Sequence, residues 1–239
     1  MNTKNAILVV SFGTTYADTR EKTIEAIENR IRDAYPQYTI RRAWTSKMII
    51  RKLKDRDHYH VDAVAEAMEK LAEEGFQRVL LQPTHVINGI ENEQMIRDAM
   101  AFENQFESIC FGVPLLTSEE DSCQVIKALT EEMGPVSSDT ALVYMGHGTT
   151  HYANTVYAAL DYRMKDMGYS NVFLGTVEAY PSLDTMKKKL KEGGYQKVIL
   201  APFMIVAGDH ARHDMASDRK DSWKYALEKE GYIVHKARS

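Results

Sequence analysis

Hydrophobic positions along this chain fall into short apolar runs, separated by longer stretches in which they recur every three or four residues. Ala6-Ile7-Leu8-Val9-Val10, 38–44, 78–82 and 108–113 are such runs. So are Ala141-Leu142-Val143-Tyr144-Met145, 171–177 and Lys197-Val198-Ile199-Leu200-Ala201. Their length and their β-branched and aromatic content predict buried strands. Between them the spacing is helical. Ile24, Ile27, Ile31 and Ala34 predict one amphipathic helix, opened by a capping box of Asp18 and Glu21, with Pro36 just past its end. A helix around 48–54 leads to a charged link, Lys54-Asp55-Arg56-Asp57. Val61, Val64, Ala65, Met68, Leu71 and Ala72 predict another, ended by Gly75. Further helices are expected from near Glu91, over 118–133, and after Asn154 as N-cap. Strands alternating with helices imply βαβ units and parallel sheets, an α/β fold.

The pattern then repeats. Ala6-Ile7-Leu8-Val9-Val10-Ser11-Phe12-Gly13-Thr14-Thr15 lies over Ala141-Leu142-Val143-Tyr144-Met145-Gly146-His147-Gly148-Thr149-Thr150, a shift of 135 residues. Gly75-Phe76-Gln77-Arg78-Val79-Leu80-Leu81-Gln82-Pro83 lies over Gly194-Tyr195-Gln196-Lys197-Val198-Ile199-Leu200-Ala201-Pro202, a shift of 119. Each match joins a strand to the loop at its carboxyl end. The chain is therefore expected to form two similar α/β domains, 1–117 and 118–239, with 118–139 a connecting helix and turn. Their strand ends would face a shared cleft; one continuous sheet is the alternative.

Composition narrows the class. With 239 residues, 44% apolar and 27% charged, the chain is long enough for one large core or two modest ones. The net charge of −4 and the lack of a long basic run argue against nucleic acid as partner. Lys187-Lys188-Lys189 is expected on a solvated helix face. Two cysteines, Cys110 and Cys123, exclude a disulfide framework, and Cys110 is expected to be a core thiol. No apolar run approaches a membrane span, and no signal-like segment precedes the first strand, so a cytoplasmic location is expected. No Gly-Lys-Ser/Thr phosphate loop is present, and no nucleotide is expected.

The differences between the halves carry candidate chemistry. His147 sits between two glycines at the carboxyl end of a strand, the edge where open α/β sheets bind ligands. Phe12 lies over it in the first half, and Glu91 lies over His210. Glu178 ends another strand, just before the turn marked by Pro181. Each taken singly also reads as a turn, a strand-end carboxylate or a helix-entry polar group. Together, two histidines and a carboxylate suit a divalent first-row metal and leave one face of the ion open.

At these residues the chain resembles a known family. Gly146-His147-Gly148, Val177-Glu178-Ala179-Tyr180-Pro181 and Pro202-Phe203-Met204-Ile205-Val206-Ala207-Gly208-Asp209-His210 resemble the anaerobic sirohydrochlorin cobaltochelatases, ATP-independent class II chelatases of the ferrochelatase superfamily. The likeness continues through Ser11-Phe12-Gly13-Thr14-Thr15, the segment from Thr45 to Leu53, and Gln82-Pro83-Thr84-His85-Val86-Ile87-Asn88-Gly89-Ile90-Glu91. It implies insertion of Co²⁺ into sirohydrochlorin on the oxygen-independent route to cobalamin. It implies that His147, Glu178 and His210 hold the metal, and Fe²⁺ or Ni²⁺ stay open. The macrocycle must lose two N–H protons as the metal enters, and His147 is the expected acceptor. Lys47, Arg51 and Arg212 are candidates for the substrate carboxylates, and Phe12 and Phe203 for its rings. Ser11, Gly13, His85, Glu91 and Gly148 complete the expected substrate contacts. A homo-oligomer is compatible with this reading. The rivals are a non-catalytic tetrapyrrole or metal carrier, and a metal-dependent hydrolase.

Overall fold

The computed structural model describes residues 4–206, 214–215, 217 and 219–237. It divides into two compact units, Met1–Leu115 and Leu116–Ser239. The first contains β1 (Asn5–Ser11), α1 (Ala17–Arg20), a π turn (Glu21–Glu25), α2 (Ala26–Ala34), β2 (Thr39–Trp44), α3 (Lys47–Asp57), α4 (Val64–Glu73), β3 (Arg78–Pro83), α5 (Ile90–Met100) and β4 (Ser108–Phe111). The second contains α6 (Glu119–Met133), β5 (Thr140–Gly146), α7 (Thr155–Asp166), β6 (Val172–Thr176), α8 (Leu183–Glu192), β7 (Lys197–Pro202), α9 (Trp223–Glu228) and β8 (Ile233–Lys236). Every strand pairs parallel, in the orders β2-β1-β3-β4 and β6-β5-β7-β8. Among the described residues no helix is long and apolar enough to cross a membrane.

The sequence repeat is also a structural one. In the first unit Ala6 pairs with Val79, and in the second Ala141 pairs with Val198. These are the residues that the two shifts of 135 and 119 bring into correspondence. Different loop lengths thus converge on one strand register, because a slip of one residue would turn the apolar set of a strand to the wrong face.

The central strands β1 and β5 are flanked on both sides and buried along almost their whole length, which is why they read as unbroken apolar runs. Around β1 pack Leu81 of β3 and Met68 and Leu71 of α4; around β5 pack Leu200 of β7, Met186 and Leu190 of α8, and Trp223 of α9. Each such side chain contributes about 1.5–3 kcal/mol by leaving water. Helix α6 starts where the sequence places it. Ser118 Oγ accepts from Asp121 N at 3.0 Å while Asp121 Oδ2 accepts from Ser118 N at 3.0 Å, a reciprocal capping box.

Several expectations are corrected. The first helix begins at Ala17 with Tyr16 as N-cap and no side-chain cap bond, so Asp18 and Glu21 form no capping box. The π turn fits an extra residue into that helix and shifts its phase. Ile24 stays buried, but the next inward position is Glu28, and Ala34 is exposed. Glu28 is taken up by Arg42 of β2, which donates from Nε at 2.7 Å and from a terminal nitrogen at 2.5 Å. A third guanidinium nitrogen donates to Tyr59 at 2.8 Å. Hydrogen bonding and charge from Glu28 push the Arg42 pKa upward against the opposing cost of burial.

The stretch Lys54-Asp55-Arg56-Asp57 is helix, not link: α3 runs to Asp57 and stops at His58 in the left-handed region. Lys54 and Arg56 in the last turn favour that extension by facing the negative end of the helix dipole. Cys110 is exposed, because β4 is an edge strand with one face left uncovered. The Lys187–Lys189 run is only partly solvated. Lys187 reaches Glu230 at 2.9 Å and Lys189 reaches Asp161 at 2.6 Å, leaving Lys188 the most exposed of the three. Asp161 is buried and also accepts from Lys165 at 2.5 Å and Leu174 N at 2.8 Å, joining α7, β6 and α8. Burial holds the Lys165 ammonium pKa below its ordinary value, opposed by this pairing.

Candidate metal and active site

The parallel ladder between β5 and β6 does not stop at the end of the sheet. Val177 N donates to Gly146 O at 3.0 Å and Glu178 N donates to His147 O at 2.9 Å. The backbone therefore delivers His147 and Glu178 side by side at the carboxyl edge. His147 Nδ1 lies 3.8 Å from Glu178 Oε2, with the side chains 43% and 56% exposed. Both are thus accessible to a large ligand.

The imidazole is oriented by its own loop. His147 Nδ1 lies 2.7 Å from the carbonyl of Gly148. A carbonyl only accepts, so this contact places the hydrogen on Nδ1 and the ring lone pair on Nε2. Nε2 is then the nitrogen able to ligate a metal or take a proton. Fixing the tautomer through the other ring nitrogen is a common device at metal-binding histidines.

Gly148 makes this loop possible. Its φ of +82° is in the left-handed region, and a Cβ built there would stand 2.9 Å from Thr176 Cβ and 3.0 Å from Ala179 N. Gly13 is its counterpart, with φ +99° and a built Cβ 2.6 Å from the Trp44 ring. The first unit repeats the ladder as well: Thr45 N donates to Ser11 O at 3.0 Å and Ser46 N to Phe12 O at 3.2 Å. A third strand end matches too, Thr84 N to Val10 O at 2.9 Å and Phe203 N to Met145 O at 2.8 Å. One backbone frame thus carries Phe12, Ser46 and Thr84 in the first unit and His147, Glu178 and Phe203 in the second. The imidazole–carboxylate pair belongs to the second alone.

The other expected site residues divide. His210 and Arg212 lie outside the described residues. Among the described residues no three His, Cys, Asp or Glu side chains converge as a metal site, so the pair His147–Glu178 is what the structure assembles. Phe12 is exposed at the carboxyl edge of β1, whereas Phe203 is buried edge-on against Tyr144 and Tyr157. Ser11 is buried and accepts from the Thr84 hydroxyl at 2.9 Å. Lys47 opens α3 and is exposed, as is Arg51 one turn on. Glu91 lies in the first turn of α5. His85 is half-buried, its Nε2 3.4 Å from Thr45 Oγ1 and its Nδ1 buried with no hydrogen-bond partner. Burial lowers its pKa to about 4, so it is neutral at pH 7.

Exposed apolar side chains gather at the same edges. Phe12, Met48, Ile90 and Val113 follow strands of the first sheet, and Tyr152 and Tyr180 follow β5 and β6. Tyr152 lies against the His151 ring at a centroid separation of 4.1 Å. Sequence reading missed these tyrosines, since an exposed aromatic in a loop has no periodic signature. Asn154 is where the sequence places it. The residue stands at the N-cap of α7, but its side chain makes no cap bond there. Instead Oδ1 accepts from Thr149 N at 3.0 Å and Nδ2 donates to Tyr180 O at 2.6 Å.

Comparison with known proteins agrees with this frame. The chain is 44% identical over 221 residues to the sirohydrochlorin cobaltochelatase of Salmonella typhimurium, covering 92% of this chain and 83% of that protein. It is 33% identical over 232 residues to the sirohydrochlorin cobaltochelatase CbiKC of Nitratidesulfovibrio vulgaris, covering 96% and 81%. The structure of SirB from Bacillus subtilis with Fe³⁺ superposes with a TM-score of 0.64 at 12% identity, over 99% of this chain and 88% of that one, and so shares the fold. The cobalt chelatase (CbiK) family matches residues 5–238, nearly the whole length, and the chain belongs to that family.

Proposed function

We propose that this protein inserts Co²⁺ into sirohydrochlorin, with His147, Glu178 and His210 receiving the ion and no nucleotide taking part. The observation that carries the reading is the imidazole and carboxylate presented together, half-exposed, at the carboxyl ends of β5 and β6. Family membership directs that pair toward metal insertion.

The chemistry suits the donors. Imidazole and carboxylate bind a first-row divalent ion firmly enough to capture it, and an incomplete ligand shell leaves positions for incoming pyrrole nitrogens. The free base gives up two pyrrole N–H protons for each metal ion gained. His147 Nε2 cannot bind the ion and accept a proton at once. The steps are therefore sequential: the ion moves to the macrocycle, the released Nε2 lone pair takes one of the two protons, and the other passes to solvent water. Glu178, 3.8 Å from the ring, stabilises the imidazolium that results. In each unit, exposed aromatic and apolar side chains at the carboxyl edge of its own sheet offer contacts for a flat ring. Lys47 and Arg51 supply cations for its carboxylates.

The test is to mix purified protein with sirohydrochlorin and each of Co²⁺, Fe²⁺ and Ni²⁺, following the visible spectrum. Conversion with Co²⁺ over many turnovers is expected. Binding without turnover for every metal would instead make the protein a carrier.

A further inference from the structure

The amide of Asn154 supplies the rung that the backbone ladder lacks. Residues of the His147 loop pair with those of the Glu178 loop 31 positions on: Gly146 with Val177, then His147 with Glu178. Gly148 comes next and packs against Ala179, where a Cβ would touch the Ala179 nitrogen at 3.0 Å. At the following step the chains have separated. There Asn154 Oδ1 accepts from Thr149 N at 3.0 Å and its Nδ2 donates to Tyr180 O at 2.6 Å. One primary amide thus presents the same acceptor and donor as a peptide group and closes both loops behind the His147–Glu178 pair.

The arrangement has a cost. Asparagine at an N-cap ordinarily accepts from the first turn of its helix, which contributes about 1 kcal/mol, and here that bond is absent. The helix that follows β1 in the first unit has Tyr16 at its N-cap, where α7 has Asn154, just as the first unit has Phe12 in place of His147. The amide therefore accompanies the ligand pair rather than the fold.

We infer that Asn154 is a positioning residue for metal capture, its side-chain amide holding the His147 and Glu178 loops at ligand spacing. The inference rests on the reading of His147 and Glu178 as ligands. It assigns Asn154 to the affinity of the site for the free ion and not to recognition of the tetrapyrrole.

Co²⁺ titration of the metal-free protein, followed by visible absorption without tetrapyrrole, tests it. Asn154→Asp keeps size and the acceptor for Thr149 N but loses the donor and sets a carboxylate against the Tyr180 carbonyl. Asn154→Ala loses both bonds. Each is expected to weaken Co²⁺ binding about tenfold, as loss of a group supporting metal ligands does, and to alter the Co²⁺ spectrum. In turnover, KM for Co²⁺ should rise while KM for sirohydrochlorin holds. His147→Ala and Glu178→Gln are titrated alongside. If these two bind Co²⁺ as the wild type does, the ligand reading itself fails. If they lose Co²⁺ while both Asn154 variants keep wild-type affinity and spectrum, the positioning role fails, and a lowered unfolding temperature alone would leave Asn154 a fold residue. Should Asn154→Ala not fold, Asn154→Asp decides by the same titration.

Discussion

Glu178 donates its backbone N–H to the carbonyl of His147 at 2.9 Å, so the two proposed ligands are the two ends of one rung of the ladder. Their spacing is fixed by main-chain geometry before either side chain chooses a rotamer. The same bond joins Ser46 to Phe12 in the first unit, where neither side chain can hold a metal. The frame is common to both units, and the chemistry was placed on one copy.

Replacing the ligands should separate their roles. His147→Ala removes a donor atom and the proton acceptor, and turnover should fall by at least ~10²–10⁴-fold, the range for loss of a general base alone. His210→Ala should regain part of its activity at high Co²⁺ by mass action, and Glu178→Gln should fall between the two. Initial rates over a Co²⁺ titration at fixed sirohydrochlorin decide this. Near-wild-type turnover of His147→Ala at saturating metal would reduce the central loop to a glycine-rich turn.

Two glycines with similar backbone but different surroundings offer a matched test of the loop. Gly148 and Gly168 have φ of +82° and +93°, and only at Gly148 would a Cβ meet other atoms within 4 Å. Alanine at either should cost about 1–2 kcal/mol from the left-handed conformation. Gly148→Ala should cost more, because Thr176 and the Ala179 backbone must yield. It should also weaken Co²⁺ binding, which Gly168→Ala should not. Urea unfolding and metal titration of the pair measure both effects.

His85 makes stability depend on pH. Its folded pKa is lowered from 6.5 to about 4 by burial, so between those values the unfolded chain binds the extra proton. Stability from this residue is therefore complete above about pH 6.5, falls as pH drops toward 4, and levels off below. The loss should be at most about 3.4 kcal/mol, given 1.36 kcal/mol per pKa unit. His85→Gln should flatten the unfolding free energy across that window. An unchanged slope would mean that the ring protonates in the folded state at its ordinary value.

The Arg42–Glu28 pair should behave as a buried ion pair. Its side chains are 21% and 6% exposed. Glu28→Ala leaves the guanidinium without its bidentate partner and should cost about 3–5 kcal/mol. Changing both together, Glu28→Leu with Arg42→Met, should recover most of that. Denaturant unfolding of the single and double variants checks the coupling, and equal losses in both would point to packing instead.

Metal insertion should need neither ATP nor a second kind of subunit. Turnover by the purified polypeptide with Co²⁺ and sirohydrochlorin in nucleotide-free buffer is the measurement. A strict requirement for ATP would contradict the absence of a phosphate-binding loop from the sequence.

The sequence by itself determined the described strands other than β8, their parallel pairing and the repeat. A strand buried on both faces can only be an unbroken apolar run, and Ala6 and Ala141 announce the same register in both units. It also placed His147 and Glu178 at strand ends, since a strand's last residue is visible where its apolar run stops. Tertiary structure alone decided which side chains meet. A π turn rotated Glu28 inward to Arg42, an uncovered sheet edge exposed Cys110, and Phe203 turned into the core. Asn154 left the helix that it caps by position for a carbonyl 26 residues away. Periodicity reports the face on which a residue sits; the partner it finds there depends on chain segments brought together only by folding, and no local pattern encodes that distance.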